Sequence, residues 1–270
     1  MRLLVRTWNL FHGNAVPPEP ASYLEEAVRL ATSDGPDVVC LQEVPAWGLE
    51  RLGEWSGMAV YGEIAAPPRL GPFPSTAKLG HRLTRLNHGF LRSAFSGQAN
   101  AILLGPSLTG LETQALQLNS RRFRKAQERM LELDTVTRLA WAKERRICQV
   151  VRARAADGRR FVIANLHATG VPDDRLADAE ALRAASLADG LARPTEVCVL
   201  AGDFNVRPER SRTLADLNGP EWGFSKASPN LDQVLVRGAR AGAPVVWPVE
   251  RRRVDGRLLS DHAPVEVEIR

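Results

Sequence analysis

Short apolar runs are spread along the whole chain of 270 residues, and several of them end in a polar side chain. The clearest cases are the runs that lead into Glu43, His167 and Asp203. Runs of this length and composition are typical of buried strands. A buried strand rarely ends in an acid unless a partner neutralises the charge. The pattern therefore favours a fold that gathers several strand ends at a common edge.

The secondary structure follows from periodicity and from turn residues. The residues at 174–192 have the spacing of the longest helix, and weaker spacing predicts helices at 21–33 and 46–57. The stretch 62–98 is rich in Gly, Pro, Arg and His, which predicts irregular loops partly over the site. Strands are expected at 3–9, 37–43, 99–104, 146–152, 160–165, 197–202, 231–236 and 264–269. Since no repeat or low-complexity linker divides the chain, we expect one domain spanning 1–270.

Positive charge is concentrated in one part of the chain. Between residues 119 and 160 there are 13 Lys or Arg and only five acids, an excess of 8, whereas the whole chain carries +5. A patch of this kind suits a phosphate backbone, although a solvated surface would look the same. We therefore expect a phosphate-ester substrate, with nucleic acid as the leading candidate, and the sequence indicates no obligate protein partner.

The three cysteines, Cys40, Cys148 and Cys198, each lie inside an apolar run. None forms a metal-type pair, so we interpret them as small buried hydrophobic residues. An odd number of cysteines without a disulfide framework favours a reducing compartment. The N-terminal apolar run is too short for a signal peptide, and no apolar stretch approaches the ~20 residues needed to span a bilayer. We expect a cytoplasmic protein with no integral membrane association.

Acids and amides follow the predicted strands at Asn9, Glu43, Asp203, Asn205 and Asp261. Carboxylates are the ligands that Mg²⁺ prefers, whereas amides can donate to phosphate oxygens without adding negative charge. Any one of these residues could simply cap a turn. Their combination instead predicts a site that holds Mg²⁺ and attacks a phosphodiester.

Two of the five histidines occupy similar positions. His167 follows a strand, and His262 stands beside an acid near the C-terminus. A histidine next to a scissile phosphate can move a proton near neutral pH or stabilise developing charge. Asp232 could accept the other ring proton of His262. Of the remaining histidines we interpret the first two as structural and leave the third open: His12, His81 and His88.

The order of these motifs resembles the endonuclease/exonuclease/phosphatase superfamily. This group contains DNase I, the exonuclease III-type apurinic endonucleases, the inositol polyphosphate 5-phosphatases and the neutral sphingomyelinases. The resemblance rests on six blocks in the family's order: Trp8-Asn9, Leu41-Gln42-Glu43, Asn165-Leu166-His167, Gly202-Asp203-Phe204-Asn205, Leu231-Asp232 and Ser260-Asp261-His262. It implies an α/β (α+β) fold, a four-layer αββα sandwich of two packed, mostly antiparallel sheets flanked by helices.

The resemblance also implies roles for individual residues. Glu43, helped by Asn9, looks like the ligand of Mg²⁺, for which Mn²⁺ could substitute. Asp261 looks like a further acid of the metal site or one that orients water. Asp203 and Asn205 resemble the pair that positions the nucleophile and the phosphate.

The histidines and their partners are also implied to be catalytic. Asp232 and His262 resemble the family's Asp–His dyad. Asn165 and His167 resemble the Asn-x-His of the DNase I-like branches, in which this second histidine faces the phosphate. The implied function is a Mg²⁺-dependent phosphodiester hydrolase, a nuclease acting on DNA or RNA through in-line attack of water. Since families differ over the group that activates the water, no unique base is assigned.

Several departures leave the substrate open. Pro45 stands where DNase I-type enzymes carry a basic residue, and the Glu that orients their second histidine has no evident counterpart. Tyr23 and Tyr61 do not match the tyrosine of apurinic endonucleases. The stretch 202–207 matches the Gly-Asp-x-Asn-x-Arg of the 5-phosphatases, but 230–233 lacks their Trp-Cys-Asp-Arg. The alternatives are a phosphomonoesterase or a lipid or inositol phosphodiesterase, and a non-catalytic nucleic-acid-binding protein.

Overall fold

The computed structural model describes residues 2–270 and, at residues 92–94, the backbone alone. The strands are β1 (Leu3–Asn9), β2 (Ala15–Val16), β3 (Val38–Val44), β4 (Ala59–Ala66), β5 (Arg69–Leu70), β6 (Phe73–Pro74), β7 (Gln98–Leu104), β8 (Leu108–Gln117), β9 (Ile147–Ala155), β10 (Arg160–His167), β11 (Val197–Asp203), β12 (Asp232–Arg237), β13 (Val245–Val246), β14 (Arg253–Val254), β15 (Arg257–Leu259) and β16 (Val265–Ile269).

The α-helices are α1 (Leu24–Thr32), α2 (Leu52–Ser56), α3 (Ala77–Thr84), α4 (His88–Phe95), α5 (Arg121–Met130), α6 (Thr135–Lys143), α7 (Asp174–Leu191) and α8 (Arg212–Leu217). Short 3₁₀ turns cover Phe11–Gly13, Ala46–Arg51, Pro208–Arg210 and Glu250–Arg252. Within residues 2–270, each helix is too short or too polar to cross a bilayer.

Two large sheets form the centre of the molecule. One has the strand order β13-β16-β1-β3-β7-β4 and the other the order β12-β11-β10-β9-β8. Most neighbouring strands are antiparallel, but β1 runs parallel to β3 and β10 runs parallel to β11. The carboxyl ends of each parallel pair lie side by side, so both sheets deliver strand-end residues to the same edge.

Three apolar layers hold the sheets and helices together. One layer lies between the two sheets, one between the six-stranded sheet and α1 and α2, and one between the five-stranded sheet and α7 and α8. In β3, Val38 and Cys40 face the inter-sheet layer, whereas Val39 and Leu41 face the helices. A strand covered on both faces needs apolar residues at every position, which explains its continuous apolar run. The predicted four-layer αββα sandwich is confirmed.

The structure corrects the prediction for residues 62–98. Much of this stretch is regular: it contains most of β4, the β5–β6 hairpin, α3 and α4. Both helices begin at capping residues, because the side chain of Thr76 accepts a hydrogen bond from Leu79 N and that of Asn87 accepts one from Phe90 N. Gly, Pro and charged residues hid the periodicity of these short elements, whereas the caps were readable signals.

The helix predicted at 174–192 is present as α7. Its buried face contains Leu176 and several alanines such as Ala181, Ala184 and Ala188, whereas Leu182 is 42% exposed. Small side chains on the buried face let the helix approach the sheet closely. The three cysteines are buried and free, as predicted.

Candidate active site

The registers of the two sheets explain how distant residues meet. In the six-stranded sheet Asn9 lies opposite Gln42, next to Glu43. In the five-stranded sheet His167 lies opposite Asp203, and Asp203 lies opposite Asp232 on the antiparallel strand β12. The edge formed by these strand ends therefore carries polar residues from both sheets.

Asp203 is the centre of this edge. Its side chain is fully buried, and its Oδ2 accepts hydrogen bonds from the Nδ2 groups of Asn9 (2.9 Å) and Asn205 (3.1 Å). The Asn205 N–H donates to the other carboxylate oxygen at 2.9 Å. Asn205 Nδ2 also reaches Ala168 O at 2.9 Å. Two amides from different strand ends therefore fix the orientation of one buried carboxylate.

His262 forms a dyad with Asp232. Its Nδ1 donates to Asp232 Oδ2 at 2.8 Å, and its Nε2 lies 3.8 Å from Asp203 Oδ2. Burial disfavours the imidazolium, but the carboxylates of Asp232 and Asp203 outweigh it and raise the pKa of His262 to about 10. Burial raises the pKa of Asp232 as well. The Nε2–H of a positively charged His262 is thereby directed toward Asp203.

His167 approaches Asp203 from the other side. Its Nε2 lies 3.6 Å from Asp203 Oδ2 and 3.7 Å from Glu43 Oε1. Arg146 Nη1 lies 2.7 Å from the same ring nitrogen, and Gln98 Nε2 lies 2.8 Å from the Nδ1. Burial and the guanidinium of Arg146 lower the pKa of His167 well below its usual range. His167 is therefore neutral where His262 is charged.

Glu43 joins the site through contacts with two histidines, His12 and His167. Its Oε2 lies 3.3 Å from His12 Nε2, and its Oε1 contacts His167 as described. Within residues 2–270, Glu43 has no Lys or Arg as an ion-pair partner. A largely buried carboxylate between two histidines has a negative charge that a metal ion could balance.

Backbone strain is concentrated at the same place. Among residues 2–270, seven non-glycine residues have positive φ, and five of them belong to the site segments: Phe11, His12, Glu43, Asn205 and Ser260. Side chains other than glycine rarely adopt this conformation without compensation. Ser260 shows one such compensation, since its Oγ donates to Asn9 O at 2.6 Å and accepts from the His262 N–H at 3.0 Å.

Asn165 lies near the site but faces the interior. Its Nδ2 donates to Leu41 O and Ala101 O, each at 3.0 Å, and its Oδ1 accepts from Gln42 Nε2 at 2.7 Å. All three partners belong to the six-stranded sheet, whereas Asn165 belongs to the other sheet. The side chain is fully buried, so the structure shows it as a bridge between the sheets.

Asp261 lies at the solvent side of the site. It is exposed, and together with Asp232 and His262 it lines a cavity of about 450 Å³. Arg207 and Arg252 line the same cavity, which places two guanidinium groups close to the dyad. An anionic substrate could therefore approach the dyad from this side.

Two groups of side chains could hold a divalent cation. In the first, one ligand atom from each of Asp203, Asp232 and His262 lies within 4.8 Å of the others, but His262 already donates to Asp232. The second consists of Glu43 and Asn9, with Asp261 as a further acid. Its oxygen donors are of the kind that Mg²⁺ prefers, and within residues 2–270 Glu43 has no Lys or Arg as an ion-pair partner. The chemistry of this second group therefore suits a magnesium ion, although Asn9 Oδ1 already accepts from the Phe11 N–H at 3.0 Å.

Sequence reasoning missed three residues of this site. The sequence indicates a structural role for His12, yet this residue contacts Glu43. The sequence does not distinguish Arg146 from the other basic residues of 119–160, although it is buried against His167. Gln98 has no role predicted from the sequence, yet its Nε2 lies 2.8 Å from His167 Nδ1. Its position at the start of a strand was the only available signal.

Comparison with known proteins agrees with this geometry. The family model described as "Endonuclease/Exonuclease/phosphatase family" matches residues 7–262. The chain belongs to this family. No curated protein sequence matches the chain.

Solved structures of the same fold support the assignment. A humanized TDP2 of D. rerio is 14% identical with a TM-score of 0.66, and the match covers 100% of this chain and 99% of that one. An endonuclease/exonuclease/phosphatase family protein from Bacteroides thetaiotaomicron is 16% identical with a TM-score of 0.62, covering 100% and 95%. D. rerio TDP2 complexed with a single-strand DNA product is 13% identical with a TM-score of 0.64, covering 100% and 99%. At these identities the likeness shows the fold of the family.

Proposed function

We propose that this member of the endonuclease/exonuclease/phosphatase family is a Mg²⁺-dependent phosphodiester hydrolase that cleaves nucleic acid. The observation that carries the proposal is the convergence of His167 and His262 on the buried carboxylate of Asp203, with Glu43 against His167. Acids, amides, one charged histidine and one neutral histidine at one point supply the proton transfer and charge stabilisation that hydrolysis of a phosphate diester uses.

In this proposal Glu43 holds the magnesium ion, with Asn9 and Asp261 completing the protein's share of ligands. A magnesium ion bound there would draw charge from the phosphoryl oxygens and favour ionisation of a water. Asn9 also donates to Asp203, so one amide connects the metal ligands to the carboxylate beside them. Asn165 contributes indirectly by fixing the two sheets that carry these residues.

The remaining residues act on water and on the phosphate. Asp203, held by Asn9 and Asn205, orients the attacking water and can accept its proton. His262, kept positively charged by Asp232, donates toward a phosphoryl oxygen as charge develops. His167 stays neutral, and its Nε2 accepts from Arg146 Nη1 at 2.7 Å, so it orients the guanidinium beside the phosphate. Fixed donors in a buried site stabilise developing charge more than water does.

Nucleic acid is proposed as the substrate because of charge and shape. The segment 119–160 carries an excess of eight positive charges, and it includes Arg146 at the site. Cavities lie on both sides of the catalytic residues, one lined by Arg146 and Gln98 and the other by Asp232 and His262. A substrate that continues on both sides of the scissile phosphate could occupy both, and a neighbour of the same fold carries a single-strand DNA product.

A substrate panel with a metal control tests the proposal. Single- and double-stranded DNA, RNA, inositol phosphates and sphingomyelin are incubated with the protein in EDTA, and then with Mg²⁺ or Mn²⁺. We expect cleavage of nucleic acid that needs the metal. Turnover confined to inositol phosphates or sphingomyelin would contradict the substrate assignment. Salt-sensitive binding of nucleic acid without any cleavage would instead indicate a non-catalytic binding protein.

A further inference from the structure

A second cavity adjoins the catalytic residues on the side of His167. It has a volume of about 480 Å³, which is within the range of ligand-binding pockets. Its inner wall contains Gln98 and Arg146, which contact His167, and His12, which contacts Glu43. The hairpin residue Arg69 and the residues 142–145, at the end of α6 and just after it, form its two outer walls. We refer to this space, lined by these residues, as the flanking cavity.

The outer walls of the flanking cavity carry unpaired positive charge. Arg69, Lys143 and Arg145 are exposed, and within residues 2–270 none of the three has an ion-pair partner. Three unpaired cations around one cavity indicate an anionic ligand.

Glu144 lines the same cavity but does not neutralise the charges of Arg69, Lys143 and Arg145. Its carboxylate instead accepts from Arg146 Nε at 2.9 Å and from the Gly170 N–H at 3.2 Å. It also accepts from the hydroxyl of Thr169. Its charge is therefore directed inward, and the cavity opening remains positive.

Exposed aromatic rings lie on the elements next to the flanking cavity. Phe73 is 70% exposed on the hairpin that contributes Arg69, and Phe90 is 84% exposed on α4, which contacts β5 of that hairpin. Unpaired bases stack on aromatic side chains, whereas a small polyphosphate has no ring that can stack on them. Cations that line a cavity and exposed rings on the neighbouring elements together suit a single strand.

We propose that the flanking cavity binds the phosphate next to the scissile one in a single-stranded nucleic acid, a proposal that rests on the proposed function. Arg69, Lys143 and Arg145 contact that phosphate, and Phe73 supports an adjacent base. The cavity therefore gives the enzyme a preference for a strand over an isolated phosphodiester.

The experiment compares two substrates across matched variants. The substrates are bis(4-nitrophenyl) phosphate, which has no neighbouring phosphate, and a short oligothymidylate. The variants Arg69→Glu, Lys143→Glu and Arg145→Glu reverse a charge in the cavity. Arg160→Glu makes the same change at the opposite end of β10 from His167 and serves as the control.

We expect each cavity variant to lower kcat/KM for the oligothymidylate about tenfold, mainly through KM, because a charge-assisted contact is lost. Hydrolysis of bis(4-nitrophenyl) phosphate should not change. Phe73→Ala should lower kcat/KM for the oligothymidylate by a smaller factor, and it should leave hydrolysis of bis(4-nitrophenyl) phosphate unchanged. Equal losses on both substrates, or an equal loss with Arg160→Glu, would overturn the proposal.

Binding measured in EDTA separates this proposal from the proposed function. Fluorescence anisotropy of a labelled oligothymidylate should show weaker binding by the three cavity variants and unchanged binding by Arg160→Glu. That result would support the cavity even if the wild-type protein hydrolysed no phosphodiester. Inositol hexakisphosphate serves as a competitor for the labelled oligothymidylate. If it bound as tightly as the oligothymidylate and lost affinity in the same variants, the assignment of a single strand would be contradicted.

Discussion

His167 and His262 flank the same carboxylate at almost the same distance, with their Nε2 atoms 3.6 Å and 3.8 Å from Asp203 Oδ2. Their surroundings are opposite. Burial lowers the pKa of both rings. The carboxylates of Asp232 and Asp203 outweigh it at His262 and raise that pKa, whereas the guanidinium of Arg146 lowers the pKa of His167 further. The charged neighbours of each ring, acting with burial, therefore set its charge.

This difference assigns different tasks to two residues of one type. A positively charged His262 can donate a proton or a strong hydrogen bond to an anionic phosphate. A neutral His167 instead accepts from Arg146 at its Nε2, and the guanidinium that it holds in place supplies positive charge on that side. The site therefore places one fixed cation on each side of Asp203, an imidazolium on one side and a guanidinium on the other.

The largest expected effect comes from removing Asp203 or the charged ring of His262. Asp203→Ala and His262→Ala should each reduce hydrolysis of a generic phosphodiester by about 10³-fold or more, because proton transfer and charge stabilisation are both lost. Steady-state kinetics measure the loss, and circular dichroism checks that the fold is intact. His81→Ala is the control, since His81 stacks on Trp47 outside the site. Full activity in either site variant would disprove its assignment.

Arg146→Met should have the next largest effect, a loss of about 10²-fold in kcat, because the cation on the side of His167 disappears. Methionine preserves much of the buried volume. Arg160→Met is the matched control at the far end of β10. If kcat were unchanged and only KM rose, Arg146 would bind substrate without stabilising the transition state.

Asp232→Asn should reduce the rate by about 10- to 100-fold, as expected when the partner that orients a reacting group is changed. An amide cannot stabilise the imidazolium as the carboxylate does, so the pKa of His262 should fall. Nuclear magnetic resonance titration of the ring protons measures that pKa in both proteins. An unchanged pKa would show that Asp203 alone keeps His262 charged.

Asn165→Ala should affect stability more than chemistry. The substitution leaves Leu41 O, Ala101 O and Gln42 Nε2 without the partner that Asn165 provides, at a cost of about 3 kcal/mol in the free energy of unfolding. Urea denaturation measures this loss, and kinetics at low temperature, where the variant stays folded, measure its activity. A protein of normal stability that has lost activity would instead assign Asn165 to contact with the substrate.

The convergence of Glu43, Asp203 and His262 was predictable because each follows or adjoins a strand, and the ends of such strands meet at one edge. The four-layer fold was predictable from the same continuous apolar runs. These inferences needed only local patterns and their order along the chain.

The remaining features depend on contacts that no local pattern contains. Arg146 is one of 13 basic residues between 119 and 160, and only tertiary structure distinguishes it by burying it against His167. His12 reaches Glu43 from a 3₁₀ turn in which its φ is positive, a conformation that residue type does not indicate. Gln98 is the last residue of the stretch 62–98, and the composition of this stretch predicts irregular loops rather than the start of a strand.

The central claim is that these convergent side chains form one metal-dependent site for hydrolysis of phosphodiesters. The most direct test is hydrolysis of bis(4-nitrophenyl) phosphate by protein first stripped with EDTA and then titrated with Mg²⁺, for the wild type and Glu43→Gln. We predict no turnover in EDTA, recovery of the wild type with Mg²⁺ or Mn²⁺, and little or no recovery of Glu43→Gln. Turnover in EDTA, or equal recovery of both proteins at the same Mg²⁺ concentration, would contradict the account.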